Sequence, residues 1–169
     1  VLLSGLPGVG KSSLARAVAE QALGMGWTVR WASCGSDTDA AGIGRMWLGE
    51  GAPSSPTAII GASEGPRTLL VLDEAQELHP RHAAGVGKLL DEASPGSSSM
   101  LAVSRSPSPF GLPEGFSEFK LEGLALEHAR SLLPSDTDSA TARDVAEALG
   151  GHPLALRLWS PDEEVPELG

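Results

Sequence analysis

The sequence has almost no cysteine, little positive charge and no long apolar run, and each shortage removes a class of protein. A single cysteine in 169 residues, Cys34, excludes an internal disulfide framework and a thiolate zinc cluster. Twelve lysines and arginines stand against 22 aspartates and glutamates, a net charge of −10 with a pI near 4.7. Recognition of a phosphate backbone needs clustered positive charge, so direct nucleic-acid binding by this chain is not expected. The same balance permits binding of one nucleotide, which takes a single basic residue and some backbone amides. No apolar run approaches the roughly 20 residues of a membrane helix, and no signal-peptide pattern is visible. With 41% hydrophobic residues and a mean hydropathy of −0.02, the chain can bury an ordinary core. These traits predict an acidic, soluble, cytoplasmic α/β domain. Val1 already sits in an apolar strand pattern, and residues 161–169 are acidic and proline-containing, so a segment of a longer protein is expected.

Apolar strand patterns recur at residues 1–4, 28–33, 68–72, 100–104 and 118–121. Nearly unbroken apolar strands alternating with helices indicate a parallel sheet covered on both faces. Residues 12–23 read as a helix carrying Leu14, Ala15, Val18 and Ala22, with Gly24 closing it, and residues 81–93 as another. Residues 53–66 and 95–113 are rich in Pro, Gly and Ser and read as loops. Beyond Leu121 only helical patterns remain: residues 126–133, residues 141–149 capped by Ser139, and a helix opening at Pro153. This predicts an α/β core over residues 1–122, a small helical subdomain over 123–160, and a tail or the start of a next domain over 161–169.

Residues 5–12 read G-L-P-G-V-G-K-S, a full match to G-x-x-x-x-G-K-[ST], placed between an apolar strand and a helix. Each part has a physical role. Glycines at 8 and 10 let successive backbone N–H groups turn toward phosphate oxygens. The following helix adds the positive end of its dipole. Lys11 brings a mobile charge to the β- and γ-phosphates, and the Ser12 hydroxyl suits Mg²⁺. The expected phosphate-contacting set is Gly5, Pro7, Gly8, Val9, Gly10, Lys11, Ser12 and Ser13.

The second half of such a site follows an apolar strand, L-L-V-L-D-E, which delivers Asp73 and Glu74 at its C-terminal end, where ligands of open α/β sheets collect. Asp73 suits the Mg²⁺ shell and Glu74 the polarisation of an attacking water. Taken alone, this pair would read as a solvated turn; the phosphate loop upstream changes that. The fourth strand ends in Ser104-Arg105, either of which could sense a γ-phosphate, although a plain surface arginine explains the position equally well. His79, His82, His128 and His152 lack metal-ligand spacing. With the four tryptophans and Cys34 they read as structural.

In this order, G-L-P-G-V-G-K-S, L-L-V-L-D-E-A-Q, the strand ending S-R and G-G-H-P-L-A-L resemble the signal-transduction ATPases with numerous domains (STAND). These are AAA+-related P-loop ATPases that include the NB-ARC and MalT-like regulators. The resemblance covers nearly the whole chain. It implies a three-layer α/β/α P-loop sandwich with a five-stranded parallel sheet and a C-terminal helical lid, and ATP or ADP with Mg²⁺ held between them. It also implies hydrolysis by Lys11, Asp73, Glu74 and Arg105, and contact of Pro153, the proline of the family's G-x-P motif, with the nucleotide. Expected partners are winged-helix and sensor domains beyond this segment and an ATP-dependent homo-oligomer. The chain departs from the pattern at Ala125, where the first lid helix usually has a polar cap. It also lacks any arginine between Arg105 and Arg130, where ring-forming AAA+ proteins carry a finger, and has Leu154 where a sensor arginine is expected. The D-E-A-Q run is also similar to AAA+ ATPases of the ORC and ExeA kind, which leaves an oligomeric motor as the alternative. A P-loop small-molecule kinase is a further one, though such kinases carry lid arginines and the stretch after the fourth strand shows none here.

Overall fold

A computed structural model describes residues 1–93 and 98–161, which divide into two units. The first takes residues 1–5 and 11–120, and the second takes residues 6–10 and the chain from Leu121 onward.

In the first unit, β1 (Leu2–Gly5), β2 (Thr28–Ser33), β3 (Thr68–Asp73), β4 (Ser99–Val103) and β5 (Glu118–Leu121) form one sheet in the order β2-β3-β4-β1-β5. β2 runs parallel to β3, from Thr28 opposite Thr68 to Ser33 opposite Asp73, and β4 pairs in parallel with both β1 and β3. Parallel neighbours need crossover connections, which α1 (Lys11–Gly24), α2 (Ala40–Leu48), α3 (Pro56–Ser63) and α4 (Pro80–Ala93) supply. Alternate strand residues point to opposite faces. Leu2, Leu70, Leu72 and Ala102 pack into one core with Ile43 and Trp47 of α2, Ile59 of α3 and Leu90 of α4. α1 packs against β1 to β4 and buries Ala15, Ala19 and Ala22, a stripe of small residues that lets the helix lie close to the strands. The result is the three-layer α/β/α sandwich. β5 is an edge strand whose exposed Glu118 and Lys120 discourage pairing with another chain.

Residues 53–66 are not a loop throughout, because α3 occupies 56–63. The proline and serine that suggested a loop are its start signal: Pro56 holds the first helical position, and the Ser55 hydroxyl accepts the Ala58 N–H at 3.4 Å. α2 has no counterpart among the elements read from sequence. Asp39 caps it by accepting the Gly42 N–H at 2.7 Å. Residues 95–113 hold β4 and no other regular element among the described residues.

The second unit contains α5 (Leu126–Ala129), a tight turn over Arg130–Leu132, α6 (Ser139–Ala148) and α7 (Pro153–Leu158) around a core of Ala129, Val145, Ala146, Leu156 and Trp159. Asp138, not Ser139, caps α6. Its carboxylate accepts the N–H groups of Ala140 and Thr141 at 2.9 and 3.1 Å and the Thr141 hydroxyl at 2.6 Å. Those bonds, led by the hydroxyl's, hold this carboxyl below the usual aspartate range. α5 starts at Ala125 without a side-chain cap and stays one turn long. Gly151 has φ +64 and lies against the Leu124 backbone, which donates to the Gly151 carbonyl at 2.8 Å. A side chain there would collide with that backbone, so only glycine fits. Of the expected tail over 161–169, all but Pro161 lies outside the described residues.

Leu70 is fully buried in β3. Leu70→Ala should cost about 2–5 kcal/mol of unfolding free energy, measured by urea titration. A cost under half a kcal/mol, on the scale of a surface substitution, would place Leu70 outside the core.

Candidate functional site

Lys11 is the first residue of α1 and is only 8% exposed. Nζ donates to the Gly5 carbonyl at 3.0 Å. Burial lowers its pKa, the Arg105 guanidinium lowers it further, and the Asp73 carboxylate opposes both. The first-turn amides of a helix, here those of Lys11, Ser12 and Ser13, have no intrahelical acceptor.

Ser12 and Asp73 are 61 residues apart in sequence, yet the Ser12 hydroxyl donates to Asp73 Oδ1 at 2.9 Å. The same oxygen accepts the Glu74 N–H at 2.9 Å. Asp73 ends β3 and is 2% exposed. Glu74 then takes the left-handed conformation, φ 56 and ψ 34, which turns the chain out of the sheet and leaves the residue exposed. For a residue with a Cβ that conformation costs roughly 1–2 kcal/mol, and such strain is common at functional sites. The Cys34 N–H donates to the Asp73 carbonyl at 2.9 Å. Burial, then the charges of Asp73 and Glu74, push the Cys34 thiol up to about 12, so it is an inert packing residue.

β4 lies between β1 and β3, which brings its tip between the strand that precedes the glycine loop and the strand that ends in Asp73. Ser104 follows β4 fully buried, and its hydroxyl has no hydrogen-bond partner among the described residues. Arg105 is half-exposed. Its N–H donates to Gln76 Oε1 at 3.2 Å, and its guanidinium pairs with Glu77 at 3.4 Å. An exposed pair of this kind contributes about 0–1 kcal/mol and is readily exchanged. Gly5, Lys11, Ser12, Asp73 and Glu74 thus form one connected set, while Arg105 is held by the turn after Glu74. Ser13 is exposed on α1.

In the second unit, Gly8 and Gly10 have φ +77 and +102, and Val9 is buried with its N–H on the Leu6 carbonyl at 3.4 Å. A Cβ on Gly8 would stand 2.8 Å from Leu154 Cδ2. The Pro7 carbonyl faces His152 Nε2 at 2.8 Å, and His152 Nδ1 accepts the Ala155 N–H at 3.3 Å. Pro153 is the half-buried first residue of α7. From the sequence His152 reads as structural. The available signal was its place directly before a helix-starting proline, which marks a cap and says nothing of a contact 145 residues away.

The family model for AAA, the ATPase family associated with various cellular activities, matches residues 1–108. The chain belongs to the AAA ATPase family. Among solved structures, this AAA domain is similar to a Signal Transduction ATPase with Numerous Domains protein from Pyrococcus horikoshii that has a tetratricopeptide repeat sensor. Identity is 18% and the TM-score 0.69, over 97% of this chain and 28% of that one. It is also similar to two single-residue variants of Thermotoga maritima RuvB, at 20% and 19% identity and TM-scores of 0.56 and 0.54. Each match covers 93% of this chain and about half of RuvB, 51% and 52%. No curated protein matches the chain. The expectation drawn from the motifs therefore holds for an AAA ATPase and for the fold. The AAA domain spans little more than a quarter of the archaeal protein's length.

Because the fold lowers the Lys11 pKa, the unfolded chain binds this proton more tightly than the folded one between the lowered value and the ordinary lysine value. Stability therefore rises with pH across that window, and at neutral pH the ammonium works against folding. Without nucleotide, Lys11→Met should melt at or above the wild-type temperature in calorimetry at pH 7. A clear drop would mean that the bond to Gly5 outweighs the burial of charge.

Proposed function

We propose that this AAA domain is the nucleotide switch of a larger signal-transduction or transcription-regulatory ATPase. The observation that carries the reading is the Ser12–Asp73 pair, a hydroxyl and a buried carboxylate joined at 2.9 Å at the start of α1 and the end of β3. Both are hard oxygen donors, which suits Mg²⁺, an ion that takes one or two protein ligands and completes its shell with phosphate and water. Among the described residues no cluster of three or more acidic, histidine or cysteine side chains could hold a metal alone, so nucleotide phosphates would complete the site.

In this reading the backbone from Gly5 through Pro7, Gly8, Val9 and Gly10 wraps the phosphates, and the amides of Lys11, Ser12 and Ser13 point at them. Lys11 exchanges the Gly5 carbonyl for β- and γ-phosphate oxygens. Ser12 and Asp73 hold the ion. Glu74 takes a proton from the attacking water as the bond to the γ-phosphorus forms, and ADP leaves with its electron pair. The buried Ser104 hydroxyl, without a partner among the described residues, supports a role in sensing the γ-phosphate. Arg105 can join it by leaving Glu77, and Pro153 packs on the nucleotide from α7. The ATP form is the open, assembling one and the ADP form the closed, resting one. Its partners are winged-helix and sensor domains in the same cytoplasmic protein, as the repeat sensor of the archaeal relative suggests. The RuvB likeness favours a second reading, an oligomeric AAA+ motor of the ORC or ExeA kind. Against it stands the absence of any arginine from 106 to 129.

Lys11→Met should weaken ATP and ADP binding about ten- to a hundredfold, the worth of one charge-assisted contact, in calorimetric titration. Glu74→Gln should bind like wild type and lose hydrolysis, because it keeps the side chain's shape without the base. Unchanged binding in the first variant and unchanged turnover in the second would move the site elsewhere.

An arginine finger contributes on the order of 10³–10⁵-fold to such reactions. Without one, the purified chain should be a monomer that hydrolyses ATP at roughly one turnover per minute or slower. Light scattering and phosphate release check this, and a stable ring with brisk turnover would favour the motor.

A further inference from the structure

We propose that His152 is a positioning residue for the phosphate loop: one ring nitrogen holds the Pro7 carbonyl while the other caps α7. The inference rests on the reading of residues 5–13 as the nucleotide site. The two contacts are 2.8 Å from Nε2 to the Pro7 oxygen and 3.3 Å from the Ala155 nitrogen to Nδ1. The Pro7 carbonyl can only accept and the Ala155 N–H can only donate. A single form of the ring satisfies both, the neutral tautomer with its proton on Nε2. Neither bond constrains the other's chemistry except through that shared ring, so the path of the loop at Pro7 and the first turn of α7 are set together.

A second contact acts at the next residue. Gly8 packs so closely on Leu154 and His152 that a Cβ would sit 2.8 to 3.0 Å from their side chains. Loop and helix start are therefore matched in shape as well as bonded. Leu6, Pro7, Gly8, Val9 and Gly10 carry no charged side chain, and Arg157, on α7, is exposed. No ion pair competes with the hydrogen bonds there among the described residues. A loop that must present several amides at once gains affinity from being held in shape beforehand, because less order remains to be imposed on binding. His152 touches no phosphate in this scheme. It acts by fixing the carbonyl of Pro7, so that the amides beyond it face the ligand.

The two bonds can be separated by substitution. Asn places an acceptor where Nδ1 lies and is a good cap, but is too short to reach Pro7. Gln places a donor where Nε2 lies and caps poorly. His152→Asn should therefore keep the wild-type melting temperature and bind Mg²⁺-ADP about three- to tenfold more weakly, the range for one hydrogen bond. His152→Gln should melt lower yet bind Mg²⁺-ADP within about twofold of wild type, less than one such bond. Titration calorimetry and thermal unfolding on the same preparations give both numbers. If the Asn variant binds like wild type, or the Gln variant loses affinity as the Asn variant does, the positioning role is wrong. Wild type and Lys11→Met run alongside as controls on the site itself. Equal affinity in those two would overturn the nucleotide site and the inference with it, whereas loss in Lys11→Met with no change in His152→Asn would overturn the inference alone.

Discussion

The burial of a lysine, Lys11, at the start of α1 is the constraint around which the first unit is organised. Desolvating Lys11 works against the fold, and the Asp73 carboxylate, which opposes that effect, is itself buried and bonded to Ser12. An assembly of this sort is poorly explained by stability, since apolar residues in the same volume would pack at lower cost. Under the proposed reading it is kept for the phosphates of a nucleotide. The parallel sheet follows from the same need. It sends β1, β3 and β4 to one edge, where the buried Asp73 carboxylate and the buried Ser104 hydroxyl stand at the ends of neighbouring strands.

The groups around that edge differ in how firmly they are held. Asp73 is locked by two hydrogen bonds through one oxygen, and Ser12 by its place in the first turn of α1. Glu74 is turned outward by a left-handed backbone, which frees its carboxylate from the sheet but keeps its Cα next to Asp73. Arg105 is tied only by an exposed pair to Glu77. The two hydrogen bonds on Asp73 thus hold it more firmly than the exposed pair holds Arg105.

Much of this was legible in the chain. The spacing of Gly5, Gly10, Lys11 and Ser12, and an apolar run ending in Asp73 and Glu74, are local patterns whose chemistry forces the residue types, so they read directly. β2 and β5 were read to their end residues for the same reason, an apolar or alternating run bounded by turn signals. α2 and α3 were not. Both are short, their starts are made of Asp, Ser and Pro that also mark loops, and what holds them is the burial of Ile43, Trp47, Ile59 and Ile60 against strands far away in sequence. The cap of α6 slipped by one residue because Asp138 and Ser139 are both good caps and only the backbone decides which carbonyl comes first.

By itself the sequence determined the AAA family, the layered α/β class, the glycine loop and the acidic pair at the end of β3, Asp73 and Glu74, because each is written in residues close together. Tertiary structure alone decided what those residues meet. It put β4 between β1 and β3, joined Ser12 to Asp73 across 61 residues, buried the Ser104 hydroxyl without a partner among the described residues, and set His152 on the carbonyl of Pro7. The physical reason is range. Turn chemistry and helix or strand periodicity act over a few residues, whereas burial, hydrogen-bond pairing and charge balance depend on which segments are brought within a few ångströms by the packed chain.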